Sequence, residues 1–149
     1  MTKVQYYISK LKLLGYAASD VLANSGVTVE EAEDLSFQLN PEQYRLVIRN
    51  ILLLTGNDRI GLELGAAYSL ADLGVLGYAA LSSKTIMQAN DVMLKYGDLN
   101  AKILTIEGSP KGENRWCVEF KEIFPLGDLL PFAVEEYAAR VQAALVQMF

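Results

Sequence analysis

The 149-residue chain has no histidine, one cysteine, one tryptophan and four prolines. Without histidine, the commonest general base near neutral pH and the commonest metal ligand are both missing. Cys117 alone makes no internal disulfide, and no CxxC pair is present to hold zinc. No apolar run approaches the ~18 residues a membrane span needs. The opening Met1-Thr2-Lys3-Val4-Gln5 lacks the basic segment, long apolar stretch and small-residue cleavage site of a secretory signal. Positive charge is also short: 13 Lys and Arg against 18 Asp and Glu give a net charge of −5. Phosphate neutralisation dominates nucleic-acid affinity, so such a chain is a poor DNA binder by itself. These shortages favour a cytoplasmic, non-enzymatic domain with no metal and no cofactor, and leave carboxylate or lysine chemistry as the remaining catalytic option.

What is abundant is apolar material, 52% of residues, enough for the core of one domain over residues 1–149 with surplus for an apolar pocket or a buried interface. Val4, Tyr7, Ile8, Leu11 and Leu14 share one face of a helix that Thr2 caps and Gly15 ends. A short helical turn follows over Ser19 to Ser25. Thr28 and Glu31 have capping-box spacing for a helix from Val29 to about Leu35. Asn40-Pro41 starts a longer helix carrying Tyr44, Val47, Ile48, Ile51 and Leu54 up to Gly56, with Arg45 and Arg49 on its wettest side. The next helix carries Ile60, Leu62, Leu64 and Ala67.

Leu73 to Ser83 is apolar, small and nearly uncharged, which suits a buried helix or a tight chain crossing. A helix with Ile86, Ala89, Met93 and Tyr96 on one face ends at Gly97. The period then changes. Lys102 to Glu107 is rich in β-branched residues, Gly108 to Asn114 is turn chemistry, and Trp116, Val118 and Phe120 alternate with Cys117, Glu119 and Lys121. This predicts a β-hairpin with one aromatic face. A last helix runs from about Asp128 or Pro131 to an uncapped end at Met148-Phe149. The expected fold is α+β: an N-terminal helical layer packed on a small antiparallel β-sheet with a C-terminal helix, truncated before further strands.

No catalytic arrangement emerges. Gly61-Leu62-Glu63-Leu64-Gly65 follows no strand, so it reads as small residues where helices pack closely, not as a dinucleotide loop. The acidic cluster Glu30, Glu31, Glu33 and Asp34 reads as a solvated helix start, and Glu135-Glu136 reads the same way. Arg115, beside Trp116, reads as an exposed turn residue. Ser19 to Asp34 has a helix–turn–helix rhythm, but it holds no lysine or arginine, which argues against DNA contact.

Leu62-Glu63-Leu64-Gly65, then Leu73-Gly74-Val75-Leu76-Gly77-Tyr78-Ala79-Ala80-Leu81-Ser82-Ser83-Lys84-Thr85-Ile86, then Ala89, resembles the N-terminal sensor domain of one branch of AraC-family transcription regulators, the arabinose-binding type. Val21 to Val27 and Leu53 to Asn57 are similar to it as well, so the resemblance covers roughly Val21 to Tyr96. Lys84 stands where that family usually has proline, and Asn90 where it usually has an apolar residue. The resemblance implies a small-molecule effector of unspecified identity, a site of self-association as a homodimer, and DNA contact only through a C-terminal helix–turn–helix domain absent from this chain. The alternative is a protein–protein interaction module without a small-molecule ligand.

Three groups of residues follow as candidates. Tyr78, Tyr96, Trp116, Val118 and Phe120 are expected to line an effector pocket between the helical layer and the hairpin. Gly74 and Gly77 are expected to allow a close backbone crossing, with Ser82 and Ser83 capping the next helix. Val134, Ala138, Val141, Leu145 and Met148, in steps of four and three, are expected to form a dimer seam.

Overall fold

A computed structural model describes residues 1–96 and 103–148, without the side chains of residues 94–96 and Trp116. Gly97 as a helix end and Lys102 as a strand start therefore lie outside the described residues. The elements are helices α1 (Lys3–Leu13), α2 (Ala18–Val21), α3 (Val29–Glu33), α4 (Pro41–Thr55), α5 (Ile60–Ala66), α6 (Val75–Leu81) and α7 (Ile86–Tyr96), strands β1 (Leu104–Lys111) and β2 (Arg115–Glu122), and helix α8 (Leu130–Met148). Short 3-10 turns at Leu70–Leu73 and Gly127–Leu129 lead into α6 and α8. The fold is α+β, with a two-stranded antiparallel sheet.

Local chemistry sets the helix starts. Thr2 with Gln5, Thr28 with Glu31, and Asn40 with Gln43 each form a reciprocal capping box, satisfying backbone donors that the first turn leaves free. Gly56, at φ 58°, ends α4 in the left-handed conformation. The core is built from Val4, Tyr7 and Leu11 of α1, Tyr44, Val47, Ile48 and Ile51 of α4, Ile60 and Leu64 of α5, and Phe132 and Ala133 of α8. Leu53 on α4 and Leu14 after α1 face solvent.

The Gly61–Gly65 pair is a packing seam, as its sequence suggests. A Cβ on Gly61 would stand 2.7 Å from the Phe132 carbonyl oxygen, and one on Gly65 would overlap the Glu136 carbonyl. Helices α5 and α8 therefore touch backbone to backbone. Gly77 does the same against the Leu70 carbonyl, giving the expected close crossing. Gly74 differs from expectation: nothing lies near its Cβ position, and its role is the φ of 59° that turns the chain from the 3-10 turn into α6. Ser82 and Ser83 also differ. Their hydroxyls donate back to the Tyr78 and Ala79 carbonyls (2.8 and 3.1 Å), and the start of α7 is capped by Thr85, which accepts from the Gln88 amide at 3.2 Å. The serines follow α6 directly and lie within reach of its last-turn carbonyls, and Thr85 lies one residue before α7.

The strands run further than their composition predicts. Gly108, Ser109 and Pro110 join the ladder opposite Val118, Cys117 and Trp116, and the turn shrinks to Gly112–Asn114. A two-stranded ribbon has two open edges, so proline is tolerated in it. Among the described residues, the base of the ribbon meets the helical body through buried Leu104 and half-buried Phe120.

Candidate functional site

Helix α1 presents Lys3, Tyr6, Tyr7 and Lys10 at helical spacing, and α8 presents Glu136 and Arg140 one turn apart. The Gly65 seam seats α8 deeply, and Glu136 is fully buried. Its carboxylate accepts a hydrogen bond from Lys3 Nζ at 3.1 Å and another from the Arg140 guanidinium. The guanidinium lies over the rings of Tyr68, Tyr6 and Tyr137, at 5.1, 5.4 and 5.8 Å from their centroids. Lys3 stands 5.5 Å from the Tyr7 ring centre. At the rim, Lys10 pairs with Asp72 at 3.5 Å.

Two cations thus share one carboxylate in a poorly hydrated place, and burial of charge is tolerated only where it is compensated. Burial is the largest influence on Lys3 and lowers its ammonium pKa to about 8, with the attraction of Glu136 offsetting only part and Arg140 adding to the depression. Burial works to raise the Glu136 pKa, but Lys3 and Arg140 together hold it below its ordinary value. Burial raises the Tyr7 hydroxyl well above its usual range, and Tyr44 to about 12. Among the described residues, the Tyr7 hydroxyl and Arg140 Nε are buried without a hydrogen-bond partner. A small cleft of about 40 Å³ opens beside this cluster, lined by polar Thr2, Lys3, Tyr6, Tyr68, Asp72 and Arg140 and by apolar Met1 and Leu73.

Of the residues singled out from the sequence as a pocket wall, Tyr78, Val118 and Phe120 are not among those lining this cleft. Tyr78 on α6 is 64% exposed and Val118 on β2 is 48% exposed. Phe120 is half-buried and meets Tyr137 edge-on at 6.2 Å. Tyr96 and Trp116 belong to α7 and β2, and their side chains are outside the described residues. On α8, Val134 and Met148 pack against the core, whereas Ala138, Val141 and Leu145 face outward.

Glu135-Glu136 is a correction: Glu136 is not part of a solvated helix start. The helix begins at Leu130, so Glu136 sits in its second turn on the face shared by Phe132 and Ala133. The legible signal was the Glu136–Arg140 pair, one turn apart and in phase with Phe132 and Ala133.

The family model described as the arabinose-binding domain of AraC transcription regulator, N-terminal, matches residues 15–148. The chain belongs to this family of ligand-binding regulatory domains, which is not a family of enzymes. A search of the curated proteins gave no match. The match takes in Glu136 and Arg140, whereas the α1 wall of the cleft, with Thr2, Lys3 and Tyr6, precedes it. No helix of the described residues is long and apolar enough to cross a membrane.

Proposed function

We propose that this domain senses a small-molecule effector in the cytoplasm and biases a transcription regulator toward or away from its DNA-competent arrangement. The observation that carries this reading is the family match over residues 15–148. A ligand acts by binding one arrangement of the protein better than another, which shifts the population. The cleft beside Lys3 and Arg140 is the ligand entry point that the geometry favours. The Tyr137 ring touches both Arg140 and Phe120, so the base of the ribbon is within one contact of the cleft. In this reading Phe120 belongs to the surroundings that respond to ligand, while Tyr78, Tyr96, Trp116 and Val118 stay a proposed pocket wall beside the hairpin. DNA contact belongs to a separate helix–turn–helix domain.

A thermal-shift screen over metabolites tests the reading. A specific ligand raises the unfolding midpoint in a concentration-dependent way. A wide panel with no such shift supports the competing view, a protein–protein module without ligand. That view draws on one observation, the outward apolar face of α8, where Val141 and Leu145 are 42% and 39% exposed. The same face is the proposed dimer seam. Sedimentation of the unmodified chain and of Val141→Glu checks it: a dimer that becomes a monomer is expected, and monomers in both cases refute the seam.

A further inference from the structure

We propose that the cleft between α1 and α8 is a subsite for a carboxylate, with Lys3 and Arg140 as the recognising cations. The inference rests on the sensing reading and specifies the chemistry of the effector. Four observations support it. The first is charge: Lys3 and Arg140 share the single carboxylate of Glu136, while the other acid on the cleft wall, Asp72, is engaged by Lys10 at 3.5 Å. One positive charge is left over where water is scarce. The second is unused donor capacity. Lys3 spends one of its three ammonium donors on Glu136, and Arg140 Nε has no partner among the described residues.

The third is preorganisation. The guanidinium is held by Glu136 and lies over the rings of Tyr6, Tyr68 and Tyr137, so little ordering remains to be done when an anion arrives. The fourth is size. A space of about 40 Å³ holds a headgroup, not a whole metabolite, and Met1 and Leu73 give its lining an apolar part that suits a hydrocarbon continuation. A neutral sugar meets none of the charge requirement. A carboxylate meets it with charge-assisted hydrogen bonds, the strong kind. Burial is the main cause of the depressed Lys3 pKa, with Arg140 adding to it; an incoming anion should raise it again, so binding above pH 8 should take up protons.

Acetate is a sufficient probe. Titrated into the ¹⁵N-labelled chain at constant ionic strength, it should shift the Arg140 Nε–H signal and the amides of Lys3, Tyr6 and Tyr68. Acetamide, the neutral isostere, and sodium chloride should leave them in place. Lys3→Met keeps Glu136 paired with Arg140, and should weaken acetate by roughly tenfold, the worth of one charge-assisted hydrogen bond. Equal shifts from acetate and acetamide, reproduction by chloride, or silence of these signals overturns the assignment, and the titration of the unmodified chain decides it even if a variant misfolds. Failure here is separable from failure of sensing. A neutral metabolite that raises the unfolding midpoint while acetate leaves the cleft silent ends the carboxylate inference alone. A specific acetate response with no stabilising ligand in the panel supports the subsite and removes the sensing role.

Discussion

The α1–α5–α8 side of the molecule and its α6–α7 arm are built on opposite terms. On the first, glycines bring backbones into contact, charges are buried, and Tyr7, Leu11, Ile60 and Leu64 are almost wholly covered. On the second, Val75, Tyr78, Ile86 and Met87 stand more than half exposed, and Gly77 and Ala80 anchor α6 to what lies beneath. Stability therefore concentrates on one side, and the other is free to change shape at small expense. That division predicts a gradient of mutational effects.

The steepest should come at Glu136. Glu136→Gln leaves two buried cations without a counter-charge, and should cost about 3–5 kcal/mol in urea unfolding. Gly65→Ala comes next. Its methyl group meets the Glu136 carbonyl and the Ala139 side chain, and neither can yield without moving α8, so about 3 kcal/mol is expected.

The buried cluster also makes stability depend on alkaline pH. Lys3 has a folded pKa of about 8 against 10.5 for the free side chain, so between those values the unfolded chain binds more protons and stability rises with pH. Near pH ~10 the tyrosines of the unfolded chain ionise. Tyr6, Tyr7, Tyr44 and Tyr68 have raised pKa values in the fold and stay protonated, so stability then falls. Denaturation midpoints measured from pH 7 to 11 should pass through a maximum, and a profile that only falls, with no rise above pH 8, would show that Lys3 keeps the pKa of a hydrated side chain.

Across the divide the effects should shrink. Gly77→Val overlaps the Leu70 backbone, and because much of α6 faces solvent about 1–3 kcal/mol is expected. If Gly77→Val proves costlier than Gly65→Ala, the arm is as rigid as the body and the contrast fails. The smallest test compares two hydroxyls. Thr85→Ala should lose about 1 kcal/mol with its cap, whereas Ser83→Ala removes only an exposed bond back to its own helix and should lose less.

Much of this fold was legible because local chemistry fixed it. The caps at Thr2, Thr28 and Asn40, the proline at the start of α4 and the glycine seam of α5 are decided within a few residues. The ribbon was legible from its alternation, though its length was not, since the turn-forming composition of Gly108 to Pro110 does not keep these exposed residues out of the ladder. The charged cluster was hidden because its members lie 133 residues apart in sequence, and Lys3 and Glu136 each look like ordinary surface residues in isolation. The stripe from Val134 to Met148 competed with the one through Ala133 and Glu136, and helical periodicity alone does not say which meets the core. The expected roles of Ser82 and Ser83 failed for a related reason: a serine between two helices can serve either, and here the earlier helix has it.

Gln147 couples the end of α8 to the connector after α5. Its side-chain amide donates to the Tyr68 carbonyl and accepts from the Leu70 amide, both at 2.9 Å. One side chain thereby engages the connector as a neighbouring strand does, with a donor and an acceptor side by side. Sliding α8 by a single residue, about 1.5 Å, would break both bonds together. The far end of α8 is thus geared to the chain between α5 and α6, and any axial stroke of the helix must carry Tyr68 and the Gly77 crossing with it.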